Sequence, residues 1–164
     1  IMGPTDEDEK YAQECFDLVD SLGVSDIEFT GRVNVKEYLG RMDFTILTSI
    51  SEGQPLTILE SYAAHKPTIA TDVGNCRELI YGNDDGFGAA GILTHIMNLE
   101  EIAQAMIDLA IDPEGREQMG EAGYKRVTSF YRIEQMKETY KEIYRRFAEE
   151  QQVAWTEEPF QLKR

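Results

Sequence analysis

Two carboxylates, Glu52 and Glu60, stand eight positions apart in the stretch Thr48-Ser49-Ile50-Ser51-Glu52-Gly53-Gln54-Pro55-Leu56-Thr57-Ile58-Leu59-Glu60. A carboxylate has two oxygens that accept hydrogen bonds from vicinal hydroxyls, so each is suited to gripping a sugar ring or a ribose. Between them a glycine-containing turn leads directly into a helical pattern, whose first turn has N–H groups without intrahelical partners and favours an anion. Pro55 fits the first helical position but has no N–H, which leaves Leu56 and Thr57 as the expected phosphate donors, with the Thr57 hydroxyl beside them. With a rise of ~1.5 Å per residue, the carboxylates should lie on the order of 10 Å apart. That is too far for a nucleophile and acid pair, which in retaining glycosidases is separated by ~5 Å. A sugar on one Glu, a ribose on the other and a pyrophosphate between them describe a nucleotide sugar.

The elements that must position these groups can be read from periodicity. Ile1-Met2-Gly3-Pro4 reads as the tail of a buried strand entering a turn, and Asp6 to Leu22 as a helix with an apolar stripe at Tyr11, Cys15, Leu18, Val19 and Leu22, stopped by Gly23. The pattern then predicts a strand at 27–30, a short helix at 34–39, a strand at 44–48, a helix at 55–64, a strand at 67–71, a helix at 76–80 and a strand at 90–93. Such alternation implies βαβ crossovers, hence an α/β fold with a Rossmann-like parallel sheet covered by helices on both faces. In open sheets of this kind ligands bind beyond the carboxyl ends of the strands, where Ser49 to Thr57 would lie. Helices alone follow at 99–110, 114–128 and 133–150, the last amphipathic through Met136, Tyr140, Ile143, Tyr144 and Phe147. Residues 1–150 are thus expected to form one domain, and 151–164, with Trp155 and Pro159, an extended tail.

Composition narrows the partners. The 164 residues carry 31 acidic and 16 basic side chains, a formal charge of −15, so phosphate-backbone binding would meet repulsion over most of the surface and nucleic acid is a poor partner. A small phosphorylated ligand is not excluded, because backbone N–H groups can hold it without a basic patch. No apolar run approaches the roughly 20 residues of a membrane span. Cys15 and Cys76 have neither metal-site spacing nor the density of a disulfide framework, which fits a reducing cytoplasm.

Glu52 and Glu60, with Ser49, Gly53 and Leu56 around them, form an E-x7-E motif that resembles the signature of family four retaining glycosyltransferases of the GT-B fold. Gly3-Pro4-Thr5-Asp6-Glu7-Asp8, Phe29-Thr30-Gly31-Arg32-Val33, Ser51-Glu52-Gly53-Gln54-Pro55-Leu56 and Thr71-Asp72-Val73-Gly74-Asn75-Cys76-Arg77-Glu78-Leu79 look most like the PelF branch, cytoplasmic enzymes of Pel exopolysaccharide synthesis. The resemblance runs from Ile1 to about Phe147. It implies that Glu52 holds the donor sugar's hydroxyls as the catalytic carboxylate, that the backbone of Gly53, Gln54, Pro55, Leu56 and Thr57 holds the distal phosphate, and that Glu60 holds the ribose. Arg32 and Val33 would frame the base, and Gly31 and Ser49 would complete the donor site. The implied donor is a UDP-sugar, UDP-glucose first, with a polysaccharide acceptor, no metal and no protein nucleophile.

Two departures accompany the resemblance. Many members have a second Gly where this chain has Pro55. The family's basic Arg/Lys pair, the acceptor-binding N-terminal domain and one central strand would lie upstream of Ile1, so the chain is expected to be the C-terminal, donor-binding portion of a GT-B enzyme. Alone, it would be inactive, with a gap in its sheet. A membrane-bound synthase complex is a possible larger assembly. A non-hydrolysing sugar-nucleotide epimerase of the same architecture is the competing enzyme class, and the E-x7-E context argues against it.

The remaining chemistry-bearing residues have plainer readings. His65 belongs to a helix end and His95 to a surface loop; Asp84-Asp85-Gly86 lacks calcium-loop spacing and reads as a solvated turn. Cys76 is a small packing residue with no histidine placed to activate it.

Overall fold

The structure, a computed structural model, describes residues 1–155. Contacts divide the chain after Met42 into two compact units. The first contains α1 (Glu9–Leu22) and α2 (Val35–Leu39). Asp8 caps α1 by accepting from the Tyr11 N–H at 3.0 Å, and Gly23 ends it in the left-handed region at φ 65°. The strand expected at 27–30 does not form. Ile1 and Gly3 instead make three main-chain hydrogen bonds with the 28–31 segment: Ile1 N to Glu28 O, Thr30 N to Ile1 O and Gly3 N to Gly31 O. Among the described residues these segments pair only with each other, and an isolated two-stranded pairing is marginal in water. Ile1, expected in a buried strand, is exposed.

The second unit contains a three-stranded parallel sheet in the order β1 (Thr45–Leu47), β2 (Thr68–Thr71), β3 (Gly91–Thr94). The crossovers are α3 (Leu56–Ala63) and α4 (Cys76–Tyr81), and α5 (Leu99–Ile111), α6 (Pro113–Phe130) and α7 (Ile133–Glu150) follow. All four residues of β2 are buried, as expected for a central parallel strand covered on both sides. Its successive side chains separate two cores. Ala70 packs with Ile58 and Tyr62 of α3, Cys76, Leu79 and Ile80 of α4, and Ala122 and Val127 of α6. Ile69 packs on the other side with Ala105 and Leu109 of α5. The sheet therefore has helices on both faces, and the α/β expectation holds.

Several polar groups inside the unit are paired across elements, while the buried Tyr62 hydroxyl has no hydrogen-bond partner among the described residues. Thr45 Oγ1 lies 2.8 Å from both Ser61 Oγ and Thr68 Oγ1, tying β1 to α3 and β2. Asp112 caps α6, whose first residue is Pro113. Arg126 of α6 is fully buried and pairs in bidentate fashion with Asp85 at 2.6 and 3.0 Å, while also donating to the carbonyls of Leu79, Ile80 and Gly88. The turn expected to be solvated at Asp84-Asp85-Gly86 thus holds a carboxylate with a side chain only 5% exposed.

The apolar stripe of α7 stays outside: Met136, Tyr140, Ile143, Tyr144 and Phe147 are each about half exposed. Tyr144 stacks on Trp155 at 5.7 Å, and the part of the expected tail from 156 to 164, including Pro159, lies outside the described residues. Among the described residues no helix is long and apolar enough to cross a membrane.

Candidate functional site

The site segment is a strand, a loop and a helix, running from the carboxyl end of β1 through Thr48–Pro55 into α3. The sequence forms this because Thr45-Ile46-Leu47 suits a half-covered strand and Pro55 sets the entry to the helix. Pro55 sits one position earlier than expected, at the N-cap with φ −71° and ψ 115°, and its ring is buried. This extended ψ prevents it from being the first helical residue. Leu56, Thr57 and Ile58 therefore form the first turn, and no side chain caps it. Its N–H groups have no intrahelical acceptors, and the peptide dipoles add partial positive charge there.

Glu52 is half-buried just before this helix end, and the Ser49 hydroxyl donates to its Oε1 at 2.6 Å. That bond turns the carboxylate back toward the β1 end and leaves its second oxygen available. A Cβ added at Gly53 would meet nothing within 4 Å, so the backbone there is open to a close-approaching ligand. Gln54, Leu56 and Thr57 are exposed, and Glu60 stands exposed on the second turn of α3. Ser49, Glu52, Gly53, Gln54, Pro55, Leu56, Thr57 and Glu60 are thereby brought together on one segment of the second unit.

Gly31, Arg32 and Val33 belong to the first unit. Gly31 has a φ of 64°, and Arg32 is paired with Glu7 at 2.6 Å and Asp6 at 3.9 Å, an exposed arrangement that holds its guanidinium on acidic neighbours of its own unit. His65 follows α3 in the left-handed region at φ 56°, stacks on Tyr124 at 3.8 Å and lies 3.3 Å from Glu121. His95 pairs with Glu101, whose carboxyl is held below its usual range by the His95 backbone N–H and ring. Burial pushes the Cys76 thiol up, as befits a packing residue.

Sequence reasoning missed Arg126, the one buried arginine among the described residues. The signal was present: it shares the core-facing stripe of α6 with Ala122, Gly123 and Val127, where an unpaired charge could not stay.

A family model described as glycosyl transferases group 1 matches residues 1–126. N-acetyl-alpha-D-glucosaminyl L-malate synthase of Bacillus anthracis is 33% identical over 129 residues, which is 77% of this chain and 32% of that protein. The chain spans about a third of the length of the curated relatives it matches. Among solved structures, HepE of Anabaena in complex with UDP-glucose superposes with a TM-score of 0.75 at 19% identity, covering 86% of this chain and 40% of HepE. The C-terminal domain of the group 1 glycosyl transferase LpcC of Francisella tularensis superposes with a TM-score of 0.66 at 28% identity, covering 79% of this chain and 66% of that one. The parallel sheet with helices on both faces is that of a GT-B C-terminal domain, and the chain belongs to the glycosyl transferases group 1 family.

Proposed function

We propose that this chain is the donor-binding portion of a retaining glycosyltransferase that moves a hexose from a UDP-sugar, UDP-glucose first, to a growing exopolysaccharide in the cytoplasm. The observation that carries the reading is the uncapped first turn of α3, directly behind a β-strand's carboxyl end and flanked by Glu52 and Glu60. In this reading the diphosphate lies against the N–H groups of Leu56 and Thr57, Glu52 accepts from the sugar hydroxyls and Glu60 from the ribose. The leaving diphosphate departs on the face from which the acceptor enters and takes up the acceptor's proton, so no protein nucleophile and no metal is required. Support comes from HepE, a structural neighbour in complex with UDP-glucose, and from the PelF-like strings around both carboxylates.

The acceptor-binding domain and the cations that offset the diphosphate charge would come from sequence preceding this region in the whole enzyme. Electrostatic stabilisation of the leaving group is a large term in such transfers, so turnover depends on them. In the full-length enzyme, Glu52→Ala and Glu60→Ala are each expected to depress transfer from UDP-glucose sharply, and the product's anomeric configuration should match the donor's. Near-normal turnover in both variants would sink the assignment.

A further inference from the structure

Three backbone carbonyls of the candidate donor loop are met from one side by a single neighbouring segment, the carboxyl end of β2 and the turn that follows it. The Thr71 hydroxyl, itself buried, donates to the Ser49 carbonyl at 2.5 Å. The Asn75 N–H donates to the Gly53 carbonyl at 2.9 Å. Gly74 lies so close to the Glu52 peptide that an added Cβ would overlap the Glu52 carbonyl oxygen, fall 2.7 Å from its carbon and come 2.9 Å from the Gly53 oxygen. Gly74 also has φ 51°, where a side chain adds strain, so the position is closed to other residues both by conformation and by space.

We propose that Thr71 and Gly74 are positioning residues for the donor site, clamping the 49–53 loop so that Glu52 faces the sugar. This inference rests on the donor-binding reading above. The physical reason is that the loop has no regular structure of its own between β1 and α3, so its backbone must be held by something else. The only groups that fix carbonyls 49 and 53 among the described residues are those of the β2 end and its turn. Ser49 in turn orients the Glu52 carboxylate. A displacement of the loop therefore moves the carboxylate and leaves the α3 N-terminus, which is anchored by the buried Ile58 and Tyr62, in place. Sugar contact and diphosphate contact are separable for that reason.

The test is isothermal titration of UDP and of UDP-glucose into the chain and its variants, with thermal unfolding recorded for each. Gly74→Ala and Thr71→Val are expected to lower the ratio of UDP-glucose to UDP affinity by about tenfold, as for loss of a hydrogen bond to a charged group, while UDP affinity stays near that of the parent. Thr71→Ser retains the hydroxyl and should restore the ratio. A merely structural role would lower stability without changing the ratio. If Gly74→Ala does not fold, the Thr71 pair decides. Parent-like ratios in Thr71→Val and Gly74→Ala, with a lowered ratio in Glu52→Ala, overturn the clamp and leave the donor reading standing. A ratio unchanged in Glu52→Ala, or no binding by the folded parent chain, overturns the donor reading and the clamp with it.

Discussion

The Ser49 hydroxyl donates a 2.6 Å hydrogen bond to the Glu52 carboxylate, joining the last turn of chain after β1 to the acid that precedes α3. A bond to a charged acceptor is worth about 1.5–3 kcal/mol, enough to decide how a half-buried carboxylate points. Ser49→Ala is accordingly expected to weaken UDP-glucose binding about tenfold, with little change in the thermal midpoint, because the hydroxyl supports a site and not the core. Calorimetric titration and a melting curve on the same sample check both halves.

Arg126 and Asp85 form the most buried ion pair among the described residues, with side chains 1% and 5% exposed. Breaking such a pair by truncating one partner leaves a buried charge and typically costs about 3–5 kcal/mol. Arg126→Met and Asp85→Asn should each lower the urea midpoint steeply. The double variant should lose less than the sum of the two, since the second change removes an already orphaned group. Additive losses would show that the pair is not a unit.

The same pair sets the acid limb of stability. The Arg126 guanidinium holds the Asp85 carboxyl below its usual range, so this contribution is fully present above the unfolded carboxyl pKa of about 3.9 and is lost as pH falls through the lower folded value. Below about pH 4, Asp85→Asn should flatten the fall of unfolding free energy with pH. On the alkaline side, burial, with the nearby Glu78 carboxylate adding to it, pushes the Tyr131 phenol up to about 12. A raised phenol favours the folded state below the unfolded value near 10 and loses that contribution as pH rises through 12, so Tyr131→Phe should reduce the slope of stability between those limits.

Much of the fold was legible because the chain alternates its period. The buried Thr68-Ile69-Ala70-Thr71 run and the 3.6-residue spacing of α5 to α7 override local ambiguity, and the observed bounds fall within a few residues of the expected ones. What failed was pairing. Ile27-Glu28-Phe29-Thr30 has strand-forming residues, but a strand needs a regular partner on at least one side, and that information lies in the neighbours and not in the run itself. Asp85 was misread for a related reason: Asp-Asp-Gly has the composition of a solvated turn, and only the fold brings Arg126 to it from 41 residues away. At the site, the E-x7-E spacing located one segment, while the hold of Thr71 and Gly74 on that segment depends on parallel register, Leu47 opposite Ala70, which no local pattern encodes.

The central claim is that the α3 N-terminus and its two carboxylates hold a nucleotide sugar. It is tested most directly by titrating UDP-glucose into the chain and into Glu60→Ala, with circular dichroism confirming that both are folded. Saturable binding by the parent chain that is lost in Glu60→Ala is the predicted result. Binding that survives Glu60→Ala unchanged, or a folded parent chain that does not bind, would contradict it.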